Sequence, residues 1–159
     1  MNDQNHSLGG KYLTFNLKDE EYGIQILKIV EIIKHLEIRE LPQTPSYLLG
    51  LINLRSKVIP VMDLRLRFGI DAKEVDEESV IIIIQTGQIM MGLLVDRVKE
   101  VIDIHDENID PTPDFGSSIS TDYILAMGKL QDRVTILLDI DHVLTHEIKE
   151  MVMSMETIE

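Results

Sequence analysis

Cysteine and tryptophan are both absent from this sequence of 159 residues. Without cysteine the chain has no disulfide, no catalytic thiolate and no cysteine-ligated zinc, and its composition fits a reducing compartment. Aromatic residues make up only 4% of the chain, whereas hydrophobic residues make up 44%. The core must therefore consist mainly of aliphatic side chains and methionine, in one domain or in two small subdomains that share an interface.

Long hydrophobic runs are also missing. The longest strongly apolar run covers residues 80–84, far fewer than the roughly 20 residues that cross a bilayer. The start of the chain is polar and lacks the basic and apolar regions of a secretion signal. We therefore expect a cytoplasmic protein that does not insert directly into a membrane.

Positive charge is scarce, because 15 Lys and Arg residues oppose 28 Asp and Glu residues and the net charge is -13 at pH 7. Such a balance repels nucleic-acid phosphates and anionic lipid headgroups. The densest basic stretch, residues 55–67, contains no aromatic side chain that stacks on bases. We expect no nucleic-acid partner.

Apolar residues alternate on both sides of a polar tip in residues 50–65, which is the pattern of an antiparallel hairpin. The tip consists of Arg55, Ser56 and Lys57, whose polar groups are suited to hydrogen-bonding a partner's carboxylates or carbonyls. Asp63 precedes a short apolar-periodic segment, which predicts an N-cap and a short helix. The hairpin tip is thus a candidate for recognition rather than for catalysis.

Two blocks of the sequence recur in the same order without gaps. Residues 23–32 align with residues 92–101, and residues 47–68 align with residues 123–144. Tandem copies of a short-stranded unit predict two small barrels, because closure removes exposed strand edges. The predicted fold class is all-β: two tandem five-stranded β-barrel subdomains with short helices, including a C-terminal helix.

The repeat and the local composition predict four segments. They are a flexible N-terminus (1–10), a first subdomain (11–78), a second subdomain (79–147) and a C-terminal tail (148–159). The acidic stretch 71–79 lacks apolar periodicity and is the best linker candidate. The subdomains are expected to share one core interface, and exchange of strands between them is an open alternative.

Five short motifs follow one another along residues 12–144. They are DEEYGI at 19–24, VEI at 30–32, GLINLRSKVIPVMDLR at 50–65, GLLVDRV at 92–98 and STDY at 120–123. Together they closely resemble the CheW family, the adaptors of bacterial chemotaxis that couple transmembrane chemoreceptors to the histidine kinase CheA.

This resemblance implies two SH3-like barrels packed side by side, without catalytic activity or cofactor. In that family a groove between the barrels takes the helical hairpin tip of a methyl-accepting chemoreceptor, and other faces bind the regulatory domain of CheA. The implied protein is a stand-alone cytoplasmic adaptor, recruited to membrane receptor arrays, that couples receptor state to kinase activity. A small-barrel module that binds oligosaccharide or nucleic acid is the alternative function.

The resemblance also implies roles for individual residues. Glu31 and Arg55 match an acidic and basic pair near the receptor groove, and our hypothesis is that they pair and orient the hairpin tip. An ordinary surface ion pair is the alternative. The other implied receptor-binding residues are Ile29, Asn53, Leu54 and Val98. Phe115 matches a loop that meets the kinase domain, with packing of its ring onto the core as the alternative.

Three further features carry expectations. Ser56 stands where the family usually has glycine, so either it adopts a positive φ or the turn is of another type. His142 and His146 have the spacing that places two imidazoles on one face of a helix, but without a third ligand we expect a solvated face rather than a metal site. Glu20 and Glu21 flank a turn and are expected to be solvated.

Overall fold

The computed structural model describes residues 8–34, 37–111 and 122–156. Within these ranges the chain forms eleven strands, three α-helices and two single turns of 3-10 helix. The strands are β1 (Gly10–Leu17), β2 (Glu20–Gln25), β3 (Ile29–Lys34), β4 (Leu48–Leu54), β5 (Lys57–Asp63), β6 (Val80–Thr86), β7 (Ile89–Val95), β8 (Arg97–Ile104), β9 (Ile109–Asp110), β10 (Ile124–Leu130) and β11 (Arg133–Leu138). The helices are α1 (Leu64–Arg67), α2 (Ile140–Val143) and α3 (His146–Glu156), and the 3-10 turns are Ile26–Lys28 and Asp106–Asn108.

The strands form two sheets. The six-stranded sheet has the order β8-β1-β2-β11-β10-β9, and the five-stranded sheet has the order β3-β6-β7-β5-β4. Two neighbouring pairs are parallel, β2 with β11 and β5 with β7, and the other pairs are antiparallel. The predicted all-β class with short helices, including a C-terminal helix, is confirmed.

Each sheet contains strands from both predicted subdomains, residues 11–78 and residues 79–147. Strands β1 and β2 pair with β8 and β11, whereas β6 and β7 pair with β3 and β5. In the six-stranded sheet both edges of β2 are occupied, one by β1 and one by β11. Only the three-residue turn Ile26–Lys28 connects β2 to β3, so β3 cannot reach a free edge of that sheet. The chain therefore continues into the other sheet, and the two halves exchange strands.

The sequence repeat is also a structural repeat, and we call residues 11–68 the first copy and residues 80–144 the second copy. Val61 of β5 pairs with Gly92, and the equivalent Leu137 of β11 pairs with Gly23. Both short helices have an aspartate N-cap. The Asp63 side chain accepts a bond from the Arg65 main-chain N–H at 3.0 Å, and the Asp139 side chain accepts one from the Asp141 main-chain N–H at 3.1 Å. The predicted N-cap at Asp63 is confirmed.

The largest apolar cluster draws side chains from both sheets and from the helices, and we call it the central core. Each sheet has a smaller cluster of its own, formed in the five-stranded sheet by Ile52, Ile59, Val61, Ile81, Ile83 and Leu94 and in the six-stranded sheet by Tyr12, Ile104, Ala126 and Leu137. The two copies are therefore joined mainly by aliphatic packing, as the composition requires.

The segment 148–159 is not simply a tail. Helix α3 continues to Glu156, and Ile148 and Val152 are buried in the central core. These two residues are four apart and share one helix face, which docks the helix onto the core. The expectation of a tail was wrong for this part because the methionines at alternate positions concealed the helical spacing of the two aliphatic residues.

Glu21 is buried, so the expectation that it is solvated was wrong. Its carboxylate accepts hydrogen bonds from the Thr135 hydroxyl at 2.5 Å and from Lys99 Nζ at 2.9 Å, and Arg133 Nε lies 3.4 Å away. Burial opposes its ionisation, but these partners outweigh burial and lower the pKa of Glu21. The equivalent position in the second copy is the apolar Met90.

Three smaller observations complete the fold. Of the predicted flexible segment 1–10, only residues 8–10 are described, and there the Gly9 N–H donates to Asp106 Oδ1 at 2.7 Å. The segment 71–79 contains neither helix nor strand. No helix within the described ranges is both long and apolar enough to span a bilayer.

Candidate partner-binding site

The tip of the β4–β5 hairpin has a left-handed backbone at both central residues. Leu54 pairs with Lys57, and φ is 50° at Arg55 and 72° at Ser56 between them. Positive φ at both positions is the signature of a type I′ turn, whose twist matches that of the flanking strands. Ser56 therefore adopts the conformation for which the family's glycine is suited, and the turn is not of a type that avoids it.

The predicted pairing of Glu31 with Arg55 is confirmed. The guanidinium meets the carboxylate through two nitrogen–oxygen contacts, Nη1 with Oε2 at 3.3 Å and Nη2 with Oε1. This hydrogen bonding raises the pKa of Arg55. Because the Arg55 side chain is 70% exposed, water screens the pair and its effect on stability is small. Its structural effect is to tie the hairpin tip to β3 in one orientation.

The other predicted receptor-binding residues lie around this pair or across the central core. Asn53 is exposed on β4, and Leu54 packs on the small cluster of the five-stranded sheet. Ile29 and Val98 occupy equivalent positions in the two copies, and both are partly buried against the central core. The five-stranded sheet thus brings together Ile29, Glu31, Asn53, Leu54 and Arg55, whereas Val98 belongs to the other sheet.

Exposed aliphatic residues lie on the strands that carry the ion pair, and the sequence reasoning missed them. Val30 and Ile32 flank Glu31 on β3 and are 46% and 42% exposed, and Val58, opposite Asn53, is 58% exposed. The run 29–33 could have revealed this exposed surface. It is apolar at four of five positions, so apolar side chains lie on both faces of one strand. Exposed aliphatic surface beside polar groups is typical of protein-binding sites.

Two other predictions have different outcomes. Phe115 lies outside the described residues, so its role stays a prediction.

His142 and His146 are not on one helix: α2 ends at Val143 and α3 begins at His146. The break occurs because Leu144 is extended and the Thr145 hydroxyl accepts a bond from the Ile148 N–H at 3.3 Å, which starts a new helix.

Each histidine contacts its own acidic neighbour. His142 Nδ1 lies 2.6 Å from Asp139 Oδ2, and His146 Nε2 lies 3.1 Å from Glu150 Oε2. In the part of the chain that the structure describes, no group of three or more acidic, histidine or cysteine residues is arranged to hold a metal ion.

Comparison with known proteins agrees with this architecture. The CheW-like domain family matches residues 11–147. The chain is 37% identical to the chemotaxis protein CheW of Klebsiella aerogenes over 141 residues, which cover 89% of this chain and 85% of that protein. It is 34% identical to the chemotaxis protein CheW of Bacillus subtilis over 140 residues, which cover 87% of this chain and 89% of that protein.

A solved structure is similar over nearly the whole fold. The scaffolding protein TtCheW from Thermoanaerobacter tengcongensis matches with a TM-score of 0.82 and 36% sequence identity, and the match covers 91% of this chain and 99% of that chain. Together with the matched family domain, these similarities establish that the chain belongs to the CheW family.

Proposed function

We propose that this protein is a non-catalytic chemotaxis adaptor, which binds the cytoplasmic tip of a chemoreceptor and the regulatory domain of the histidine kinase CheA. The observation that carries this proposal is the Glu31–Arg55 pair, which ties the hairpin tip to β3 in a chain of the CheW family. Val30 and Ile32 on β3 and Val58 on the hairpin add exposed aliphatic surface on the same elements. Such a surface recognises a protein and offers no arrangement for chemistry on a small substrate.

The receptor-binding surface in this proposal consists of Ile29, Glu31, Asn53, Leu54, Arg55 and Val98. The ion pair supplies orientation, because a bidentate guanidinium–carboxylate contact fixes the tip. The aliphatic neighbours supply the apolar area that a receptor helix covers. We expect receptor affinity to depend on both.

The kinase-binding surface is assigned to a different region, which includes Phe115. Its sequence neighbours include Pro111 and Pro113, and an aromatic side chain is a suitable interface anchor. We expect Phe115→Ser to weaken association with the kinase regulatory domain and to leave the melting temperature unchanged. A large fall in the melting temperature instead indicates that the ring packs on the core.

The adaptor acts in the cytoplasm and is recruited to membrane receptor arrays by its partners. Coupling of receptor state to kinase activity requires that binding of one partner changes the preferred arrangement of the other. Simultaneous contact alone transmits nothing. In this proposal the receptor surface draws on both copies of the repeat, which are joined by the central core, and the kinase contacts a different surface.

The test is a pair of NMR titrations of the labelled full chain, one with a receptor hairpin-tip fragment and one with the kinase regulatory domain. We expect the receptor fragment to shift resonances of Glu31, residues 53–55 and Val98, and the kinase domain to shift a different set. If neither partner moves any resonance of the folded protein, the chain has the fold of the family and another function.

A further inference from the structure

The hairpin formed by β1 and β2 pairs only with strands of the other copy, as far as the described strands show. Strand β1 pairs outward with β8 and β2 pairs outward with β11, and both of these strands belong to the second copy. Several side chains of the hairpin, among them Phe15 and Tyr22, are buried in the central core. Residues 10–25 are therefore a unit that docks on the remainder of the chain through sheet pairing and apolar packing.

The connection from this hairpin to β3 is weakly anchored. It is the single 3-10 turn Ile26–Lys28, in which no residue is buried and the Leu27 side chain is 99% exposed. The equivalent connection in the second copy, between β7 and β8, is Asp96, which Arg65 and the Lys18 main-chain N–H hold in place. Leu27 aligns with Asp96 in the repeat, so the first copy has an exposed apolar residue where the second has an anchored charge.

Extension of this turn allows the hairpin to leave its own chain without unfolding. The links of the turn to the rest of the fold include partial packing of Ile26 on the central core and a partly exposed ion pair of 3.4 Å between Lys28 and Asp141. Water screens such a pair, so its loss costs little. When extended, the three residues of the turn reach about 10 Å. Because Leu27 places the turn at the surface, a second molecule can approach it there.

We propose that two molecules of this protein exchange their β1–β2 hairpins, so that residues 10–25 of each molecule pair with β8 and β11 of the other. The incoming hairpin has the same sequence as the one that it displaces, so the sheet pairing and the apolar packing of the hairpin are recovered. The two extended turns cross near the two-fold axis of this dimer, where the two Leu27 side chains cover each other. Burial of Leu27 favours the dimer, and a higher protein concentration favours it further.

The exchange has a consequence for the proposed receptor-binding surface. Val98 of β8 lies opposite Phe15 of β1, so in the dimer each such surface lies beside a hairpin of the other molecule. One dimer then carries two receptor-binding surfaces and binds clustered receptors bivalently. This consequence rests on the proposed adaptor function, whereas the exchange of hairpins does not.

Disulfide trapping in the full chain tests the exchange, because the natural sequence contains no cysteine. Lys11 of β1 and Asp103 of β8 are directly paired and exposed, so cysteines at both positions lie within disulfide distance. The variant with Lys11→Cys and Asp103→Cys is incubated at high concentration under reducing conditions, then diluted and oxidised. We expect disulfide-linked dimers on a non-reducing gel, in a fraction that rises with the initial concentration. In the control variant, Lys129→Cys and Val134→Cys join β10 to β11 of the same chain and should give monomers only.

A change at the turn separates exchange at this place from other association. In the Lys11 and Asp103 cysteine background, Leu27→Asp places two like charges where the turns cross and should lower the dimer fraction about tenfold. Val75→Asp changes another exposed aliphatic residue and should leave the fraction unchanged. Monomeric product at every concentration, dimers in solution whose disulfides all lie within one chain, or equal dimer fractions in the two aspartate variants overturn the proposal. Because no receptor is present, the result is independent of the adaptor function.

Discussion

Arg67 Nε donates a hydrogen bond of 3.1 Å to the carbonyl oxygen of Val143, which is the residue equivalent to Arg67 in the second copy of the repeat. The guanidinium carbon also lies 5.9 Å from the ring centroid of Tyr47 and 5.4 Å from that of Tyr123, and these two tyrosines are equivalent as well. One arginine therefore sits between matching elements of the two copies. The second copy has Val143 at the equivalent position, so the contact between the copies is asymmetric.

Replacing Arg67 by valine, the residue of the second copy, is expected to lower the free energy of unfolding by about 1–2 kcal/mol. The variant loses the hydrogen bond to Val143 and the contacts with both rings. Urea denaturation measures the change. Arg67→Lys keeps the charge but not the planar guanidinium, so it should recover only part of the loss; full recovery contradicts a role for the planar group.

The ion pair between Arg65 and Asp96, which are distant in sequence, predicts that the stability of the protein falls in acid. Arg65 on α1 donates to both oxygens of Asp96 at 2.8 and 2.7 Å, and Asp96 Oδ2 also accepts the Lys18 main-chain N–H at 2.8 Å. Burial opposes ionisation of Asp96, but these donors outweigh burial and lower the pKa of Asp96 below its usual value of 3.8. The carboxylate therefore stabilises the folded state wherever it is ionised.

The sign of the pH dependence follows from this lowered pKa. The contribution of Asp96 is fully present above its unfolded pKa of about 4 and is lost as the pH falls through the lower folded pKa. Asp96→Asn should cost about 3 kcal/mol at pH 7 and should flatten the loss of stability in acid. Urea denaturation as a function of pH measures both effects. Asp103→Asn removes an exposed carboxylate and should change neither the stability at pH 7 nor its loss in acid. An equal effect of both variants would show that the Asp96 ion pair is not the cause.

The repeat made the local structure predictable, because equivalent residues adopt equivalent pairings. Register and caps follow the aligned blocks, as at Val61 and Leu137 and at Asp63 and Asp139. Exchange of strands between the halves was not predictable, because apolar alternation specifies which face of a strand is buried and not which strand lies beside it.

Features that are specific to one copy could not be predicted from the sequence either. Glu21 looks like surface charge beside a turn, and only the exchanged pairing brings Thr135 and Lys99 to it. The pairing of Glu31 with Arg55, in contrast, was predictable from the motif match.

Gly50 is expected to be indispensable because the loop that carries Arg39 crosses directly over it. A Cβ atom at Gly50 would lie 2.1 Å from the Arg39 carbonyl oxygen, a clash with main chain that no rotamer relieves. The equivalent residue of the second copy, Ala126, lacks the positive φ of 148° that Gly50 has, so the backbone at Gly50 adds to the penalty. Gly50→Ala should lower the free energy of unfolding by about 3 kcal/mol.

Gly69→Ala is the matched control for Gly50→Ala, since Gly69 also has a positive φ but nothing lies within 4 Å of the place that a Cβ atom would occupy there. It should cost only about 1 kcal/mol, the penalty of the left-handed backbone. Chemical denaturation of both variants measures the difference. Equal losses show that backbone conformation, and not the crossing loop, explains the need for glycine at Gly50.

Ser56→Gly is expected to raise the free energy of unfolding by about 0.5 kcal/mol. The gain arises because Ser56 has a φ of 72°, which costs about 1 kcal/mol or more for a residue with a Cβ atom, and the greater freedom of glycine in the unfolded chain offsets part of that relief. Ser56→Ala keeps the Cβ atom and should give no gain, so it isolates the backbone effect from loss of the hydroxyl. Thermal and urea denaturation of the two variants test this, and a gain in Ser56→Ala equal to that in Ser56→Gly would show that the hydroxyl, and not the left-handed turn, is the source of the strain.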